Sequence, residues 1–113
     1  MANKWGISRE IEAFVSNRDT HCIYCGVAFS IEHNSRKTKP TWEHIVNDIR
    51  IMTKENIALC CTSCNASKGA KLLADWLEGN YCKTTGISKD TAAQVVKDAL
   101  MNPPSVIKQE NSL

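Results

Sequence analysis

The sequence predicts an α+β fold in which two short strands and a following helix make a small core, with further helices before and after it. Three observations predict this. Two Cys-x-x-Cys pairs, Cys22/Cys25 and Cys61/Cys64, stand with residues 26–60 between them. Two short runs read as strands: Thr41–Ile45, with β-branched and aromatic residues, and the apolar Ile57–Cys60. Apolar residues recur at helical spacing toward both ends. With 113 residues, 42% of them apolar and 23% charged, the chain reads as one globular domain. We place that domain at 1–104 and read 105–113 as a frayed tail. A core of this size is modest, so a cross-link between distant segments would matter to its stability.

Taken in order, Ser8 is positioned to cap a helix over Arg9–Arg18, with Ile11, Phe14 and Val15 on its apolar side and Glu10, Glu12 and Arg18 in water. Asp19-Thr20 leads into His21-Cys22-Ile23-Tyr24-Cys25-Gly26, a tight turn with two thiols at its mouth. Residues 30–40 are polar and read as a loop. Thr41–Ile45 is a first strand, Val46–Lys54 is irregular, and Ile57–Cys60 is a second strand. A helix is predicted from Ser63 through Leu77, striped by Leu72, Leu73, Trp76 and Leu77, with Gly69 a weak point and Gly79 its stop. Ser88 then caps a last helix, about Lys89–Met101, carrying Ala92, Val95, Val96, Ala99 and Leu100 on one face until Pro103-Pro104 ends it. The chain shows no internal repeat.

The net charge of +2 and a pI near 8.2 permit nucleic acid as a partner without arguing for it. No apolar run is long enough for a membrane span or a secretory core, so a cytoplasmic protein with no membrane partner is expected. In that compartment paired thiols hold metal more often than they form disulfides. Two Cys-x-x-Cys knuckles suit one tetrahedral Zn²⁺ bound by Cys22, Cys25, Cys61 and Cys64. Four thiolates fill the coordination sphere, which makes such an ion structural. A thioredoxin-like redox pair would need a βαβ setting that is missing here. Cys60 makes the second knuckle ambiguous; Cys61 is favoured because it repeats the spacing of the first, leaving Cys60 and Cys82 as bystanders.

Between and just after the knuckles stand Trp42-Glu43-His44-Ile45 and then Glu55-Asn56-Ile57-Ala58-Leu59-Cys60-Cys61-Thr62-Ser63-Cys64-Asn65-Ala66-Ser67-Lys68-Gly69. An acidic residue followed by His, an Asn ahead of a Cys-x-x-Cys, and an Asn directly after the last Cys give the chain, over roughly residues 20–78, a pattern that resembles the HNH endonucleases, also called ββα-metal or His-Me finger nucleases. By that resemblance the fold is a zinc-stapled ββα-metal core, and the motif letters fall on His44, Asn56 and Asn65. Asn stands third where the name expects His. The run Val46-Asn47-Asp48-Ile49-Arg50 replaces the longer Gly-rich loop of many relatives.

What the resemblance implies is a DNA endonuclease leaving 5′-phosphate and 3′-hydroxyl ends. His44 is the general base and Asn56 hydrogen-bonds backbone to fix the loop that carries it. Glu43 and Asn65 present oxygens to one catalytic Mg²⁺ or Mn²⁺. The chemistry is self-consistent: a phosphodiester is anionic, so hydrolysis needs a positioned water, a base and positive charge, and an imidazole is neutral near working pH. Neighbours on a regular strand point to opposite faces, so Glu43 and His44 share a site only if the strand ends or distorts there. Lys68, three residues beyond Asn65 on the same helix, is expected to contact the cleaved strand, with Arg36, Lys37, Lys39 and Arg50 as further phosphate contacts.

Blander readings stand beside these. His33 is a loop residue, and His21 a neighbour of the knuckle. Trp5, Trp42 and Trp76 are packing residues rather than base-stacking platforms. The cations near 36–39 and Lys71 are commonly just a wet surface. For function, the alternative is a zinc-ribbon module that holds nucleic acid without cutting it; the set Glu43, His44, Asn56 and Asn65 is what such a module does not need. A monomer with one site should nick. Oligomeric state, target and biological role are not written in the sequence.

Overall fold

A computed structural model describes residues 6–30, 35 and 37–105. Expectations for Trp5, His33, Arg36 and most of the tail fall outside these residues. The elements run α1 (Arg9–Arg18), β1 (Pro40–His44), β2 (Ile57–Cys61), α2 (Thr62–Lys68), α3 (Leu73–Leu77), α4 (Asn80–Thr85) and α5 (Gln94–Met101). The result is a small α+β arrangement with one two-stranded antiparallel sheet among the described residues. No helix among them is long and apolar enough to cross a membrane.

The hairpin organises the fold. β1 and β2 pair with Trp42 opposite Leu59, Glu43 opposite Ala58 and His44 opposite Ile57. Side chains alternate across a strand, so the ribbon has two faces. Glu43, Ala58 and Cys60 turn toward the larger apolar cluster, built on Ile23, Tyr24, Trp76, Cys82 and Val96. Trp42, Ile57 and Leu59 turn the other way, against Ile7, Ile11 and Val15 at α1. Two cores therefore share one thin sheet, and β1 feeds a buried residue into each.

Helix α1 begins where the sequence placed it: the Ser8 hydroxyl accepts from the Ile11 amide at 3.2 Å. Its end is anchored by a pair the sequence reading did not single out. Arg18 binds the Asp19 carboxylate through both nitrogens at 2.7 and 2.8 Å and donates to the Ile57 carbonyl at 2.9 Å. Asp19 in turn accepts from the Leu59 amide at 3.1 Å. The exposed edge of β2 is thereby satisfied by an ion pair from α1.

The helix expected over 63–77 is broken. Gly69 sits at φ 50°, ψ −128°, a conformation closed to other residues, and ends α2. The turn lets α3 swing Trp76 back, so that its indole N–H donates to the Ser67 hydroxyl at 3.0 Å and its ring packs edge-on to Tyr24 at 4.8 Å. The helical stretch does stop at Leu77, just before Gly79, and Gly79 also opens the short helix α4, which buries Cys82. The last helix starts at Gln94 and not Lys89, because the Thr91 and Ser88 hydroxyls close a local turn by accepting from the Ser88 and Asp90 amides. The Ala93 amide then donates to the Ile23 carbonyl at 2.9 Å, docking α5 on the first knuckle.

Candidate functional site

The thiols come first because they join the segments. Cys22, Cys25, Cys61 and Cys64 place their four sulfurs within 4.8 Å of one another. A tetrahedral zinc with Zn–S of about 2.3 Å sets its sulfurs roughly 3.8 Å apart, and Cys25 and Cys61 stand at 3.9 Å. Each knuckle is tightened by an amide: Cys25 N–H donates to Cys22 Sγ at 3.5 Å and Cys64 N–H to Cys61 Sγ at 3.4 Å. Gly26, at φ 80°, closes the first turn. Of the two adjacent cysteines, Cys61 joins the cluster and also caps α2, while Cys60 lies 3.9 Å from the Thr41 hydroxyl. All six cysteines are free in the structure.

The electrostatics of the cluster ask for a cation. Hydrogen bonds from Cys61 and Cys64 hold the Cys22 thiol far below its ordinary value. The same bond to Cys22 pushes Cys64 far above it, and burial pushes Cys25 up to about 11. Four sulfurs packed this closely cannot all ionise together without a positive charge among them. These four cysteines could hold a metal such as zinc, and Tyr81, whose hydroxyl lies 3.4 Å from Cys64 Sγ, adds a hydrogen bond at its rim.

The knuckles clamp α2 beside the hairpin, and this brings the polar residues of the second motif together. Asn65 donates through Nδ2 to the Thr41 hydroxyl and the Trp42 carbonyl, both at 2.9 Å. A carbonyl only accepts, so the amide orientation is fixed and Oδ1 is the end left for a cation. Lys68, one turn on, is buried at 1% exposure and ion-pairs with Glu43 Oε2 at 3.1 Å, with the His44 carbonyl 3.5 Å away. The expected contact between Lys68 and a DNA phosphate is therefore replaced by an internal ion pair. Glu43 itself is 4% exposed and accepts from the Tyr24 hydroxyl at 2.6 Å on the same oxygen. Burial pushes the Glu43 carboxyl up against the opposing pull of Lys68, and burial with the nearby carboxylate pushes Tyr24 well up.

His44 looks the other way. It ends β1, and its Nε2 lies 3.4 Å from the sulfur of Met52, a member of the second cluster. Burial first, and then the charge of Lys68, lower its pKa below 6.5, with Asp48 pulling weakly upward. The imidazole is therefore neutral at pH 7. The loop that leaves it is pinned by Asn56, which is fully buried. Its Oδ1 accepts from the Val46 amide at 2.7 Å, and its Nδ2 donates to the Val46 carbonyl at 3.1 Å and the Ile51 carbonyl at 3.2 Å.

The structure thus gathers Glu43, Asn65 and Lys68 at the α2–β1 contact, with His44 on the adjoining edge and its ring toward the opposite face. Glu43 and Asn65 offer hard oxygen donors of the kind Mg²⁺ and Mn²⁺ prefer, but Lys68 already neutralises the carboxylate. Among the described residues, the four-thiol group is the one cluster of three or more His, Cys, Asp or Glu side chains close enough for metal. Of the expected phosphate contacts, Lys37 and Lys39 are exposed, and Arg50 is exposed but paired with Asp48 at 2.8 Å. Tyr24 and Met52 were not foreseen as neighbours of the site. Tyr24 had a signal, since a large residue inside a Cys-x-x-Cys turn is carried wherever the knuckle goes; Met52 had none. No protein family, curated protein or solved structure was found to match the chain.

Proposed function

We propose that this protein is a metal-dependent endonuclease of the HNH type, hydrolysing DNA phosphodiesters with His44 as general base and Zn²⁺ as a structural staple on Cys22, Cys25, Cys61 and Cys64. The observation that carries the reading is Asn56: a fully buried amide spends both of its donors and one acceptor bond on holding the loop that follows a neutral, buried imidazole. A fold that only needed a hairpin would not place a polar side chain there.

In this reading His44 accepts the proton of an attacking water, and Asn56 keeps the backbone at Val46 from drifting. The α2–β1 contact supplies Asn65 Oδ1 and the Glu43 carboxylate as the oxygens that would hold Mg²⁺ or Mn²⁺. Such an ion supplies positive charge to the phosphate and the leaving oxygen when bound. Lys37, Lys39 and Arg50, at the surface, are the cations placed to meet a phosphate backbone.

Two observations favour the alternative, a zinc module that binds nucleic acid without cutting: Glu43 is sealed by Lys68 and Tyr24, and the His44 ring turns to the other face of the strand, toward Met52. Supercoiled plasmid separates the two. The nuclease reading expects nicked circles with Mg²⁺ or Mn²⁺, none with EDTA, and none from a folded His44→Ala variant. Intact plasmid under every condition would end it, and parental cutting by His44→Ala would move the base elsewhere.

A further inference from the structure

Buried lysines are rare, and one with its ammonium against a single carboxylate is rarer on a helix of seven residues that has solvent on its other side. Lys68 extends inward and not outward. Its nitrogen reaches Glu43 Oε2 at 3.1 Å while keeping the His44 carbonyl at 3.5 Å as a second acceptor. Tyr24 O–H donates to the same carboxylate oxygen at 2.6 Å. That oxygen is already served by one full positive charge and one short hydrogen bond. A divalent ion brought to it would stand within about 4 Å of the ammonium, where like charges repel strongly even at the effective dielectric of a protein. Mg²⁺ also sheds its water reluctantly and needs the full charge of a carboxylate to do so.

We infer that the Lys68 ammonium holds the cation position beside Glu43, and that a divalent ion reaches this carboxylate only by displacing it. This rests on the proposal that Glu43 and Asn65 are the oxygens offered to such an ion. The Lys68 ammonium neutralises the buried Glu43 carboxylate as a monovalent cation. Lys68 and the metal are thus alternative occupants of one site, and divalent affinity is set by the competition between them.

The test is Mn²⁺ binding to the zinc-loaded full chain, read by the loss of the free Mn²⁺ paramagnetic resonance signal. Lys68→Met should bind Mn²⁺ at least about tenfold more tightly than the parent, since a repelling charge is gone. Lys68→Arg, which keeps the charge, should stay weak. The double variant Glu43→Gln with Lys68→Met should lose the gain. Parental affinity in Lys68→Met, or a gain that survives the loss of the Glu43 charge, would overturn the inference. If zinc-loaded Lys68→Met is unfolded before Mn²⁺ is added, the readout becomes its thermal unfolding against added Mn²⁺. Recovery of folding in the single variant and not in the double supports the exchange; no recovery refutes it. Plasmid nicking by the parent reports separately on the nuclease reading. A Glu43-dependent gain without nicking keeps the exchange and removes the activity; nicking without the gain does the opposite.

Discussion

Replacing Asn56 by Ala removes the most heavily used side chain near the site, and the structure lets the loss be sized. Asn56 is fully buried and makes three hydrogen bonds, of 2.7, 3.1 and 3.2 Å, to the backbone of residues 46 and 51. Each bond has a net worth of about 1 kcal/mol, and a buried backbone group left without a partner costs about 1–3 kcal/mol. The Val46 amide loses its partner outright, while the two carbonyls lose one acceptor interaction each. The sum is roughly 3–5 kcal/mol, a large fraction of what a small domain holds in total. At the scale of such domains this lowers the melting temperature by about 12 °C or more. Thermal and urea unfolding of the zinc-loaded protein would measure it. Hydrogen exchange at the Val46 amide should speed up in the variant even where the rest of β1 stays protected, because the loop opens before the sheet does. A loss below about 1 kcal/mol with unchanged exchange at Val46 would refute the claim that Asn56 is the pin of this loop.

Further outcomes follow from the same geometry. If zinc sits on the four thiols, a strong chelator should abolish cooperative unfolding, and Cys22→Ser should do the same without chelator; a zinc-free protein with normal thermal stability, read by calorimetry and metal analysis, would remove the staple. Stability should fall as pH drops below 6.5. The unfolded imidazole takes its proton there while burial and Lys68 on α2 hold the folded one lower, with only Asp48 opposing, so the native state is penalised until the folded group also titrates. The parent and His44→Gln should therefore converge in melting temperature on acidification, and parallel curves would show that the imidazole is not responsible. Arg18→Ala should cost about 1–3 kcal/mol by urea unfolding, since it frees Asp19 and strips the Ile57 carbonyl of its donor; a neutral result would mean that α1 docks through Val15 and Ile11 alone.

The sequence by itself determined the pieces whose physics is local. Spacing within Cys22/Cys25 and Cys61/Cys64 dictates knuckles whatever the rest of the chain does, because two residues between thiols is the geometry of a turn closed by an N–H···S bond. Ser8 caps α1 for the same reason. The site expected from sequence needed the strand to end or distort at Glu43–His44 so that both could line it; instead β1 pairs regularly through His44 and the two side chains diverge. Tertiary structure alone decided which partners those diverging side chains meet. Whether Lys68 reaches outward to solvent or inward to Glu43 depends on how α2 lies across β1, and that angle is set by the sulfur clamp and by Trp76 folding back at Gly69. Charge and helical position cannot distinguish the two outcomes. Burial can, because an ammonium excluded from water must find an anion, and the fold supplied one 3.1 Å away.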